Sequence, residues 1–141
     1  NIRFNLGQVC RHQAEPKKAL ENYERAKELA EMLGEEGESR LVAGNIGLVH
    51  VDLGHYDEAI ETLTAVVEKY QDHREWASDD RLRWLGLAYF NLAYAHYRAG
   101  QLDLAQWNSD EALRILGLTN DRNGIEEITS QVREWNLPSS R

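Results

Sequence analysis

The residues of this chain with a repertoire beyond packing are five histidines, one cysteine and a set of asparagines at matched places. Paired imidazoles bind metals when they stand at i, i+4 on one helix face. His12, His50, His55, His73 and His96 hold no such pair. His50 and His96 occupy equivalent slots of different repeats, about one repeat apart, and read as buried, hydrogen-bonded residues. Cys10 fills the same slot, has no activating partner, and reads as a small core residue. Between Gly34 and Gly37 stand only Glu35 and Glu36, with no lysine after them, so the glycine loop that cradles phosphates is missing. Carboxylates fall at helical spacing from cations, as in Glu21–Arg25 and Glu24–Lys27, and serve solubility. The expectation is no catalytic residue, no metal and no cofactor. Asn5, Asn45 and Asn91 suggest a different chemistry. A carboxamide both donates and accepts, and three at matched positions could pair with successive peptide groups of an extended chain. That chemistry is recognition rather than reaction.

What must position these asparagines is a repeat. Gly7, Ala19 and Ala26 share their spacings with Gly47, Ala59 and Val66, and again with Ala93, Ala105 and Ala112. The neighbours agree: Asn5-Leu6-Gly7, Asn45-Ile46-Gly47 and Asn91-Leu92-Ala93 follow one pattern. Each unit reads as two helices joined by a tight turn. Pro16 stands where the first turn of a helix tolerates a missing donor. Gly34, Gly54 and Gly100 stand where a helix ends in a left-handed residue. Small residues allow close helix approach, which predicts contacts of Gly7 with Ala19, Gly47 with Ala59, and Ala93 with Ala105.

The array resembles the tetratricopeptide repeat family, whose pattern is W-x2-L-G-x2-Y-x3-G-x-Y-x2-A-x3-F-x2-A. Leu6-Gly7 with Ala19-x3-Tyr23-x2-Ala26 carries it once. Ile46-Gly47-x2-His50-x3-Gly54-x-Tyr56-x2-Ala59-x3-Leu63-x2-Val66 carries it again, and Tyr89-x2-Leu92-Ala93-x2-His96-x3-Gly100-x-Leu102-x2-Ala105 a third time. The spacing is longer than the common 34 residues and the closing proline is absent. This long form is similar to kinesin light chains, Pins-type polarity adaptors and bacterial regulators. In the third unit Ser109 replaces a large apolar residue, with Trp107 as the neighbour that could compensate.

The resemblance implies an all-α fold: a right-handed α-solenoid of three helical hairpins plus a C-terminal capping helix. One domain is expected, with repeats at about 1–33, 38–70 and 79–116 and the last helix at about 121–136. Ile125, Ile128, Val132 and Trp135 form one apolar stripe on that helix, which Leu137-Pro138 ends. The helix reads either as a cap over the last hairpin or as the first helix of a further repeat. Tyr70–Asp80 reads as an extended helix end plus a loop. The chain begins at Asn1, inside a helical pattern, which suggests a piece of a longer protein.

In the family the first helix of each hairpin lines the concave surface. That carries a ligand role to Asn5, Gln8, Arg11 and His12 in the first unit. It carries the same role to Asn45, Leu48, Val51 and Asp52 in the second, and to Asn91, Tyr94, Tyr97 and Arg98 in the third. Related asparagines in the long-repeat adaptors hold peptide backbones; the other reading is that each bridges helices of its own array. Phe90 reads as packing between repeats, Tyr94 as a ligand contact. Leu41, Gly44, Leu87 and Phe90 stand at or beside several of the positions where binders of a free C-terminal carboxylate need Lys and Arg, so that ligand is not expected.

Charge narrows the partner. Lys/Arg and Asp/Glu number seven and eight in residues 1–40, two and nine in 41–80, and seven and seven in 81–141. An acidic middle repels phosphates, which disfavours nucleic acid. No apolar run approaches the ~20 residues of a membrane span, no leader is visible, and a lone cysteine fits a reducing compartment. A cytoplasmic module binding a protein or peptide is the expectation. Two other readings are a ligand-sensing or intramolecular regulatory segment of a larger bacterial regulator, and self-association through the N-terminal repeat.

Overall fold

The computed structural model describes residues 15–71 and 79–137. Six helices are described: α1 (Pro16–Met32), α2 (Glu36–Asp52), α3 (Tyr56–Gln71), α4 (Asp79–Arg98), α5 (Leu102–Leu116) and α6 (Arg122–Trp135). No strand occurs among the described residues. The all-α hairpin class expected from the repeat is therefore the class observed, with the additional C-terminal helix. The chain divides into two compact units, Asn1–Val66 and Val67–Arg141, and the boundary falls within α3.

In the first unit, Pro16 opens α1 at a position where the absent N–H costs nothing. Ala19, Tyr23, Ala26 and Ala30 are the buried residues of α1, and their 4-3-4 spacing is one helix face. That face meets Val42, Ile46 and Val49 of α2 to form the core, with Leu20 and Leu53 at its margin. Gly47 lies where α2 and α3 approach. A Cβ there would sit 2.5 Å from Leu63 Cγ, so only glycine permits the contact. The expected partner was Ala59; Leu63, one turn further along α3, lies nearest, because the residue that fills the space left by a missing side chain is itself large.

In the second unit, α4 buries Ala88, Tyr89, Leu92, Ala93, Ala95 and His96, and α5 buries Ala105, Ser109, Ala112, Ile115 and Leu116. The close approach is again glycine-mediated: a Cβ on Gly86 would fall 2.8 Å from Leu116 Cγ. Ser109 is fully buried, yet its hydroxyl donates to the Ala105 carbonyl at 2.7 Å, so its polarity is met within its own helix. Trp107 does not fill the serine's place. It is 56% exposed and turns its ring edge-on to Tyr89 at 6.3 Å. The Gln71 carboxamide donates to the Tyr89 hydroxyl, tying α3's last residue to α4.

The three short connections share one backbone form. Gly54 (φ +79°) and Gly100 (φ +80°) adopt the left-handed conformation that costs other residues a Cβ clash. Around Gly54 the His55 N–H donates to the His50 carbonyl at 2.8 Å and the Gly54 N–H to the Val51 carbonyl at 2.9 Å. Around Gly100 the matching bonds are Gln101 to His96 at 2.9 Å and Gly100 to Tyr97 at 3.0 Å. This paired closure satisfies carbonyls that a helix end otherwise leaves open. α6 starts differently. Asp121 caps it by accepting from the Gly124 N–H at 3.0 Å, and its second oxygen lies 3.3 Å from Arg83 Nε on α4. The αL residue Asn136 ends it.

Candidate recognition surface

The first helix of each described hairpin carries the same strip of side chains. On α2 it runs Leu41, Asn45, Leu48, Asp52; on α4 it runs Leu87, Asn91, Tyr94, Arg98. Steps of four, three and four keep each strip on one face. Leu41, Leu87, Asp52 and Arg98 are exposed, and Asn45, Asn91, Leu48 and Tyr94 are half-buried. Each strip thus offers a carboxamide between two apolar groups, followed by a charge. The charge is negative on α2 and positive on α4.

The expected ligand residues do not share one environment. Asn45 turns its amide nitrogen back to the Leu41 carbonyl at 3.2 Å, so part of its capacity is used within its own helix. Val51 has no exposed surface, so its side chain serves packing and not a ligand. Tyr94 accepts a hydrogen bond from Arg98 Nη1 at 2.8 Å, and the guanidinium lies 5.7 Å from the tyrosine ring centroid. Both contacts hold Arg98 along the helix surface. Asn5, Gln8, Arg11 and His12 lie outside the described residues, as does most of the irregular stretch expected at Tyr70–Asp80.

The C-terminal helix enters this surface. Trp135 stacks on Phe90 with centroids 5.5 Å apart, on Tyr97 at 4.8 Å, and leans on Tyr94 at 5.9 Å. Phe90, expected as packing, is buried by this contact; Tyr94 and Tyr97 keep part of their surface. Residues of α4 and α6 line a cleft of about 300 Å³, with Trp84, Leu87, Phe90 and Ile128 among its walls. Arg83 and Asp121, in contact with each other, also line it. Trp84 is 40% exposed and Leu87 42%, so both walls present apolar surface to solvent. Trp84 was not anticipated as a site residue, although stepping back from Asn91 by four and three reaches Leu87 and then Trp84.

The histidines also differ from expectation. His96 is buried and its Nδ1 lies 2.6 Å from Gln101 Oε1, the hydrogen-bonded role expected of it. His50 does not repeat that arrangement. Its Nδ1 is buried without a hydrogen bond and lies 3.5 Å from Glu58 Oε2, while its ring lies 5.7 Å from that of His55. Helical spacing does not relate His50 to His55; the turn at Gly54 does. The absence of an i, i+4 histidine pair therefore stands, while the buried, hydrogen-bonded role expected of His50 does not.

A tetratricopeptide repeat model matches residues 1–72, and a second model of the same repeat matches residues 45–114. Among solved structures the chain is similar to the TPR domain of Arabidopsis FLU, at 24% identity and a TM-score of 0.69, over 82% of this chain and 92% of that one. It is also similar to the TPR2AB domain of yeast Sti1 in its complex with pHSP90, at 18% identity and a TM-score of 0.65, over 95% of this chain and 47% of that one. No curated protein sequence matches it. No described helix is long and apolar enough to cross a membrane.

Proposed function

The chain belongs to the tetratricopeptide repeat family, and from that premise we propose that it is a recognition module that holds an extended peptide or partner segment along the first helices of its hairpins. The observation that carries this reading is the repeated strip: Leu41, Asn45, Leu48, Asp52 on α2 and Leu87, Asn91, Tyr94, Arg98 on α4. A carboxamide can pair with both halves of a peptide group. The flanking leucines and Tyr94 give apolar side chains somewhere to dock, and tyrosine is among the residue types where binding energy concentrates. Tyr97 extends the α4 surface beside Tyr94. The opposite charges of Asp52 and Arg98 make the two strips favour different residues of the ligand.

The cleft beside Trp84 and Leu87 has the size to take one large apolar side chain. Asn5, Gln8, Arg11 and His12 complete the proposed set in the first repeat. The fold supports the reading in general terms, since the Sti1 relative is a complex with pHSP90.

A peptide array tests the proposal. Peptides that bind the parent chain should bind the folded Asn45→Ala/Asn91→Ala variant roughly tenfold or more weakly, as expected when polar contacts are lost from an interface. A folded double variant with undiminished binding rejects this surface.

A further inference from the structure

We propose that the turn between α2 and α3 is a binding site for a borderline divalent cation of the zinc class, held by His50, His55 and Glu58. One donor atom from each of the three lies within 4.8 Å of the other two. Glu58 Oε2 is 3.5 Å from His50 Nδ1 and 4.0 Å from His55 Nδ1.

The convergence follows from the backbone. The paired closure around Gly54 sets the residue three before the helix end against the second residue beyond it, which brings His50 and His55 together. The His55 carbonyl also accepts the Ala59 N–H at 3.0 Å, so His55 opens α3 and Glu58 is that helix's third residue. A side chain at the third position reaches back over the residue that opens the helix. Glu58 therefore points at the two imidazoles, not along the surface.

The matching turn between α4 and α5 supplies an internal comparison. There His96 stands in the place of His50, Gln101 in that of His55, and Leu104 in that of Glu58. The Gln101 carboxamide lies 2.6 Å from His96 Nδ1 and completes it. On the same backbone, the α2–α3 turn replaces glutamine with a second imidazole and leucine with a carboxylate. Both replacements add a metal donor, and together they leave His50 Nδ1 buried without a hydrogen bond.

Two imidazoles and one carboxylate suit zinc, nickel or copper, whereas magnesium and calcium prefer an all-oxygen shell. Tetrahedral zinc with bonds near 2.0–2.1 Å spaces its donors roughly 3.3 Å apart. His55 and Glu58 are exposed and free to rotate inward by the small remaining distance. A water would supply the fourth position. Residues 41–80, with two cations against nine carboxylates, give this part of the chain a sign that attracts cations.

The test is a zinc titration of the untagged chain against a chromophoric chelator, repeated with His55→Gln and Glu58→Gln. The parent should take up one equivalent that both variants bind about tenfold or more weakly. Cobalt should give the parent a visible absorption band that both variants lack, and magnesium should not displace it. His55→Gln recreates the His96–Gln101 pair, so its metal-free thermal transition should match or exceed the parent's. Should that variant unfold, Glu58→Gln, which alters one exposed carboxylate, decides alone. Variants that bind zinc as tightly as the parent, or a parent that cannot compete with the chelator, overturn the proposal and leave His50 and Glu58 as neighbouring polar groups only.

Discussion

The indole of Trp135 lies flat on the ring of Tyr97, with centroids 4.8 Å apart and planes 9° from parallel. A residue of the last described helix thereby joins the face of α4 that carries Tyr94 and Arg98. Offset aromatic pairs are worth ~0.5–1.5 kcal/mol beyond the area they bury, and Trp135 also stacks on Phe90. Trp135→Ala should therefore destabilise the chain by about 2 kcal/mol in urea unfolding. A loss below about 0.5 kcal/mol, the scale of an ordinary surface change, would mean that α6 is not held by this residue.

The start of α6 provides an independent test of how that helix is attached. Asp121 caps it and contacts Arg83. Asp121→Ala should cost about 1 kcal/mol, the usual value of a lost N-cap. The Arg83 contact is partly exposed and adds little. Hydrogen exchange should show the amides of α6 opening faster than those of α5; uniform exchange across both helices would contradict a local role for this cap.

Gly47→Ala should destabilise despite alanine's better helix propensity. The new Cβ meets Leu63 Cγ at 2.5 Å within a fully buried contact. Overpacking of this kind costs roughly 1–3 kcal/mol, against a gain of about 1 kcal/mol in propensity. Pairing the change with Leu63→Ala should give a double variant more stable than the sum of the two single losses. Strict additivity would show that the two residues do not share the strain.

Gly54→Ala should cost about 1–2 kcal/mol for a different reason. No atom lies within 4 Å of the added Cβ, so the penalty comes from φ +79° alone. Gly54→Asn should recover much of it, because asparagine tolerates this conformation. Equal losses for both substitutions in thermal unfolding would argue for a contact rather than a backbone cause.

Much of the architecture was legible in the repeated spacings. The helix expected to start at Pro16 and end at Gly34 is observed at Pro16–Met32, and the C-terminal helix expected at about 121–136 is observed at Arg122–Trp135. Gly34, Gly54 and Gly100 all have positive φ, as their places after a helix predicted. These features depend on local geometry, which a sequence states directly. Which helix receives the apolar stripe of α6 is a tertiary choice. Periodicity identified Trp135 as inward-facing but could not name Phe90 and Tyr97 as its neighbours. Gly124 escaped notice for a similar reason: a Cβ there would lie 2.6 Å from the Asp121 carboxylate, a conflict visible only once the cap is formed.

The candidate surface was legible in part. The strip on each first helix followed from three- and four-residue steps, but Val51 was assigned to it and is buried. An apolar residue beside a strip is indistinguishable from one within it until burial is known. The cluster of His50, His55 and Glu58 was missed because periodicity treats each helix separately, whereas these residues meet across a turn.

The recurrence of one backbone turn with different side chains on it has an evolutionary consequence. The hydrogen bonds that close the joints at Gly54 and Gly100 involve main-chain atoms alone. The two flanking positions are thus free to mutate while the joint stays shut. New properties can be tried there by single substitutions, one hairpin at a time.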